Sequence, residues 1–155
     1  MNPRGDVGGP ITVGICEDDL EFVEILQSHV FTPENGFEVV FTHGSAFEFI
    51  ESIPIGVVMT KDSARNFMPD LLVIDVMPPG THGTSYSKPD GVTAMAHVRQ
   101  VGLTSPILVI SSLADSIIEE LLRDANLEDA SFIRKSATLT PRKILEAARK
   151  AVGRG

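Results

Sequence analysis

The sequence predicts an α/β protein, a doubly wound parallel sheet with helices on both faces. Three observations predict it. Short apolar runs and amphipathic stretches alternate five times along the chain. The central runs, Leu71-Leu72-Val73-Ile74 and Ile107-Leu108-Val109-Ile110, are continuous rather than alternating, as strands buried on both faces are. The length of 155 residues fits one ordinary domain, and two would be cramped.

The elements follow in order. Ile11-Thr12-Val13-Gly14-Ile15-Cys16 is the first strand and ends abruptly at Glu17-Asp18-Asp19. Leu20 to Phe31 carries Phe22, Ile25, Leu26 and Val30 at helical spacing. Phe37 to Phe41 reads as a second strand. Ser45-Ala46-Phe47-Glu48 matches a capping box, a hydroxyl and a carboxylate serving the first free amides, so a helix opens there. Leu71 to Ile74 is the third strand and stops at Asp75; Asp90 to Val101 is a helix with Val92, Met95 and Val98 on one face. Ile107 to Ile110 is the fourth strand and ends at Ser111-Ser112. A helix from about Ser116 to Ala125 follows, its start marked by S-x-x-E from Ser116 to Glu119. Ser131-Phe132-Ile133-Arg134 is a short fifth strand. Thr140-Pro141 supplies an N-cap and a first-turn proline for a last helix to about Val152. Two connections are long for such a fold. Pro54 to Pro69 contains Ile55-Gly56-Val57-Val58-Met59 and has room for an extra strand or helical turn, while Met77 to Pro89 is rich in Gly, Pro, Ser and Thr.

Composition narrows the function classes. With 43% apolar and 22% charged residues, the chain has a globular composition. A single cysteine excludes an internal disulfide framework and a cysteine-based zinc site, and suits a reducing cytoplasm. No stretch approaches 18 apolar residues, so no transmembrane helix is expected. The net charge of −8, from 13 basic and 21 acidic side chains, disfavours nucleic acid and anionic membranes as partners. Residues 1–10 lack the apolar core of a signal peptide and read as a flexible leader before a single domain spanning 11–155. No phosphate-cradling glycine motif follows the first strand, so nucleotide binding has little support.

In a doubly wound sheet, chemistry collects at the carboxyl ends of the strands. Those ends carry Glu17, Asp18 and Asp19 after strand one, Asp75 after strand three, Ser111 after strand four and Lys135 after strand five. Carboxylates brought within a few ångströms repel one another and call for a cation. Oxygen ligands select a hard ion, and a small site with room for water points to Mg²⁺. Metal, ammonium and hydroxyl around one carboxylate are the parts needed to hold a transferred phosphoryl group.

This arrangement resembles the receiver domain of bacterial two-component response regulators, the chemotaxis-regulator-like family. The resemblance runs from about Ile11 to Val152, with all five signature positions occupied in order. It implies a flavodoxin-like receiver fold of five helices and a five-stranded sheet in the order 2-1-3-4-5. It makes Asp75 the phosphoacceptor, Asp18 a direct Mg²⁺ ligand and Glu17 a ligand through water, with the Met77 carbonyl completing the metal shell. Ser111 becomes the switch hydroxyl, Phe132 the switch aromatic, and Lys135 the partner of the phosphoryl group. The implied partners are a histidine kinase or a histidine phosphotransfer protein, and the implied role is signalling rather than metabolic catalysis.

The chain departs from the family pattern in three places. Gly80 to Pro89 reads as an insertion beside the site, and the segment before Asp70 is enlarged by another near 54–69. The family's Lys-Pro step is here Lys135-Ser136. A cis peptide before serine would cost about 3–4 kcal/mol, so this loop is expected to take another path.

Plainer readings stand beside these. Asp19 reads as a helix cap or as a residue at the metal's edge, Ser112 is a rival to Ser111, and Phe132 is equally an ordinary core aromatic. Cys16 reads as a buried strand residue. His29, His43, His82 and His97 form no metal-ligand spacing, although His82 falls in the inserted loop. An aspartyl-phosphate phosphatase is the enzymatic alternative, but its second acid two residues after the nucleophile is here Met77. A docking module that no longer takes phosphate is the third class, and the complete residue set argues against it. The chain ends just after the last predicted helix, so a single-domain regulator or a fragment of a longer one with an output domain is expected.

Overall fold

The computed structural model describes residues 9–52, 69–76, 90–100, 102 and 104–154. Five strands, β1 (Ile11–Cys16), β2 (Phe37–His43), β3 (Leu71–Asp75), β4 (Ile107–Ser111) and β5 (Ser131–Arg134), form one parallel sheet in the order β2-β1-β3-β4-β5. The α-helices among the described residues are α1 (Leu20–Ile25), α2 (Ala46–Ser52), α3 (Asp90–Gln100), α4 (Asp115–Asp124) and α5 (Pro141–Arg149), and a short 3-10 turn spans Pro33–Asn35. α1 and α5 each run on into a wider π-type turn, Leu26–Val30 and Lys150–Arg154.

The apolar runs divide their side chains between two cores, because successive strand residues point to opposite faces. Leu72 and Ile74 of β3 join Cys16, Ile107 and Val109 under Phe49 of α2, Val92, Met95 and Val98 of α3, and Ile118 and Leu122 of α4. Leu71 and Val73 face the other way, with Val13, Ile15, Leu108 and Ile110, against Val23, Leu26 and Val30 of the first helical segment and Ile144 and Ala148 of α5. Both faces are covered, so a strand like β3 gains nothing from polar alternation.

One irregularity lies within β1. The β1–β2 register shifts between Val13 and Gly14, and the Phe41 ring lies over Gly14. A Cβ at Gly14 would stand 2.2 Å from Phe41 Cζ, so only glycine fits under the ring.

The helix boundaries correct the sequence reading in places. β2 reaches His43, two residues beyond the expected end, and α4 starts at Asp115 rather than Ser116. Its N-cap is Ala114, whose side chain makes no capping bond, and the carbonyl of Ala114 takes the Ile117 and Ile118 amides. Ser116 therefore lies inside the first turn, and its S-x-x-E box does not form. The box at α2 does form, with a shift: Ser45 Oγ accepts from the Glu48 amide at 3.2 Å, while Glu48 Oε2 accepts from the Gly44 amide at 2.8 Å. Thr140 caps α5 as expected, accepting from the Lys143 amide at 3.3 Å. The leader and the two insertions lie at residues outside those described, apart from their edges at 9–10 and 69.

Candidate functional site

Register carries the site residues to one edge. Cys16 pairs with Ile74, so Glu17 and Asp75 emerge side by side from β1 and β3. Asp75 pairs with Ile110 and Ser111 with Arg134, which brings Ser111 and Lys135 to the same end of the sheet. The Lys135 amide donates to the Ser111 carbonyl at 2.7 Å and fixes the backbone there.

The acidic pair is asymmetric. Glu17 is buried, its amide bonded to the His43 carbonyl at 3.0 Å. Its Oε2 accepts from the amides of Asp18 at 3.0 Å and Asp19 at 3.4 Å, and its Oε1 accepts from Lys135 Nζ at 2.6 Å. Asp18 is exposed and Asp75 partly buried. Oxygen atoms of Glu17, Asp18 and Asp75 all lie within 4.8 Å of one another, a spacing from which one small cation could be held. Asp19 takes the plainer of its two readings, capping α1 by accepting from the amides of Glu21 at 3.1 Å and Phe22 at 3.2 Å.

The electrostatics follow from this crowding. Burial, then the Glu17 carboxyl beside it as hydrogen-bond partner and charge, and finally Asp18, push the Asp75 pKa up to about 8, with Lys135 pulling the other way. For Lys135, burial lowers the pKa, but the bond to Glu17 and the charges of Asp75, Glu17 and Asp19 outweigh it, so the ammonium is held above its ordinary range. Three carboxylates offering oxygen atoms this close together are a donor set that fits a hard divalent ion.

Ser111 is buried and donates from Oγ to the Val76 carbonyl at 2.9 Å, while accepting from the Leu113 amide at 3.1 Å. Ser112 is exposed, which leaves Ser111 as the hydroxyl tied to the segment after Asp75. Phe132 is partly buried against the core beneath α3 and α4. The Lys135–Ser136 peptide is trans, like every described peptide bond. Cys16 is buried, and burial followed by the charge of Glu48 raises its thiol to about 12, so it is no nucleophile. Met77, His82 and Tyr86 lie outside the described residues.

Sequence reasoning missed two features. In the sequence Phe22 reads only as part of an apolar stripe, yet its ring centroid lies 4.4 Å from Lys135 Nζ. The Glu17–Lys135 pair was also unseen, since the residues are 118 apart in sequence. Only the strand order brings either pair together.

No family model matches the chain, and no curated protein matches it in sequence. Solved structures do. The signal receiver domain of the response regulator NarL from Mycobacterium tuberculosis superposes with a TM-score of 0.66 at 20% identity, covering 94% of this chain and 98% of that one. CheY from Borrelia burgdorferi, solved as a complex with CheX, BeF3 and Mg²⁺, gives a TM-score of 0.64 at 24% identity over 97% of each chain. A CheY-like receiver domain protein from Methanospirillum hungatei gives 0.64 at 14% identity over 94% of this chain and 95% of that one. The chain has the receiver fold. In the receiver fold the edge that carries Glu17, Asp18, Asp75, Ser111 and Lys135 is the carboxyl edge of the sheet, where the expected strand order 2-1-3-4-5 places it.

Proposed function

We propose that this receiver-fold chain is the phosphoacceptor of a two-component phosphorelay, with Asp75 taking the phosphoryl group. The observation that carries the reading is the meeting of Glu17, Asp18 and Asp75 oxygens within 4.8 Å, with Lys135 bonded to the same cluster.

The donor would be the phosphohistidine of a histidine kinase or a histidine phosphotransfer protein. An Asp75 oxygen attacks the phosphorus, the bond from phosphorus to the imidazole nitrogen breaks, and the imidazole leaves and takes up a proton. Lys135 then exchanges part of its bond to Glu17 for a phosphoryl oxygen. By the receiver resemblance, Asp18 and Asp75 would hold Mg²⁺ directly and Glu17 through water, and the Met77 carbonyl would complete the protein's share. When bound, the ion neutralises carboxylate and phosphoryl charge.

Ser111 is the switch hydroxyl in this reading. Its bond to the Val76 carbonyl competes with a bond to a phosphoryl oxygen, and its movement would be relayed to Phe132 on β5. The output is a changed protein-binding face, and the chain's only chemistry is its own phosphorylation and dephosphorylation. We place it in the cytoplasm as one domain from 11 to 155, with a leader at 1–10 and insertions near 54–69 and 80–89. Among the described residues no helix is long and apolar enough to cross a membrane.

The test is incubation with Mg²⁺ and acetyl phosphate, read by intact mass. The parent should gain one phosphoryl group and Asp75→Asn none. Equal uptake by both, or uptake by neither, would overturn the assignment.

A further inference from the structure

We propose that Phe22 is a positioning residue for Lys135, its ring face seating the ammonium so that a donor remains free for the group on Asp75; the inference rests on the phosphoacceptor reading above. Lys135 Nζ sits 4.4 Å from the centroid of the Phe22 ring and 2.6 Å from Glu17 Oε1. The two contacts differ in kind. The carboxylate takes one N–H along a directed hydrogen bond, whereas the ring attracts the whole cation through its quadrupole and asks for no particular donor. An ammonium held this way can release Glu17 and turn toward a phosphoryl oxygen without losing the ring.

The ring itself is placed by the acidic loop. Asp19 Oδ1 accepts from the Phe22 amide at 3.2 Å and the Asp19 carbonyl accepts from the Val23 amide at 3.0 Å, so the first turn of α1 is set by the residue next to Asp18. The body of the ring packs, partly buried, against the core on the α1 and α5 side of the sheet. At its other end, Lys135 is tied by its amide to the Ser111 carbonyl at 2.7 Å. The cation is thus suspended between two anchored points, with its side chain 24% exposed. An aliphatic residue at 22 would fill the same space on the core but offer no field to the ammonium.

The experiment compares the parent with Phe22→Leu and Phe22→Tyr in two measurements. The first is the NMR shift of the Lys135 ε-methylene protons, which a ring face moves upfield. The second is the rate of phosphate uptake from acetyl phosphate at saturating Mg²⁺. The expected result is an upfield-shifted Lys135 in the parent, with loss of that shift and roughly threefold to tenfold slower uptake in Phe22→Leu. Phe22→Tyr, which keeps the ring face, should restore both. An unshifted Lys135 in the parent would overturn the inference whatever the variants do. So would a Phe22→Leu chain that loses the shift yet takes up phosphate at the parental rate. A parent with the shift but no uptake would instead sink the phosphoacceptor reading, and this inference with it.

Discussion

Lys135 Nζ donates to Glu17 Oε1 at 2.6 Å, joining the end of β5 to the end of β1 across two intervening strands. The bond does two things at the site. It compensates the buried Glu17 carboxylate, and it occupies the Oε1 atom of that carboxylate with a hydrogen bond. Removing one partner of such a pair costs more than the pair contributes, because the survivor is left in a poor dielectric.

Glu17→Gln should therefore weaken Mg²⁺ binding while making Asp75 more acidic. Glu17 raises the Asp75 pKa both as hydrogen-bond partner and as charge, and the amide removes the charge. Carbon-detected NMR of the carboxyl groups would follow Asp75, and a Mg²⁺ titration the affinity. An Asp75 that titrates as in the parent would show that burial alone sets its pKa.

The pH dependence of stability has a definite sign. In the metal-free chain, folded Asp75 keeps its proton up to about pH 8, against the ordinary 3.8 for an unfolded carboxyl. The folded state binds the extra proton between those values, so this contribution is complete below about pH 4 and is lost as pH rises through 8. Asp75→Asn removes the penalty. Its melting temperature should exceed the parent's by a few degrees at pH 9 and match it at pH 4. Mg²⁺ must displace the same proton, so its apparent affinity should climb with pH, by up to about tenfold per unit, until it levels off near 8. A difference between parent and variant that does not change with pH would contradict the shift.

Gly14→Ala should destabilise the fold by about 1–3 kcal/mol, because the new methyl meets the Phe41 ring at 2.2 Å. Phe41 stacks on Phe49 with centroids 5.3 Å apart, so the ring cannot swing aside without disturbing the α2 contact. Denaturant melts of Gly14→Ala, Phe41→Leu and the double variant test this. If the steric reading is right, the double variant loses less than the sum of the singles.

The receiver fold and most of the site edge were legible in the sequence for one physical reason: buried parallel strands are apolar along their run, so the first polar residue after the run marks the end. Glu17 and Asp75 stand out because Cys16 and Ile74 precede them, and Ser111 because Ile110 does. The S-x-x-E pattern at Ser116 marks the start of α4 to within a residue but not its cap, because Ser116 is already the second helical residue. The Gly14–Phe41 contact and the seat of Lys135 on Phe22 were not legible at all. Each joins elements whose neighbours are decided by the strand order, and no local pattern encodes them.

The last prediction concerns the lifetime of the phosphorylated form. Hydrolysis of an aspartyl phosphate needs a water held in line with the breaking bond, and a polar side chain beside the site can hold it. Leu113 stands beside Ser111, its amide donating to Ser111 Oγ at 3.1 Å, and its side chain packs on the core below α4. It offers a water no hydrogen bond. Met77, two residues after Asp75, is equally unable to do so by its chemistry. The phosphorylated chain should therefore decay slowly when no phosphatase is present, and Leu113→Gln or Met77→Asn should quicken the decay several-fold. Loss of phosphate from purified protein in Mg²⁺ buffer measures this directly. Fast decay of the parent, with no acceleration in either variant, would mean that another group orients the water, and His82→Ala and Tyr86→Phe would then be the variants to compare.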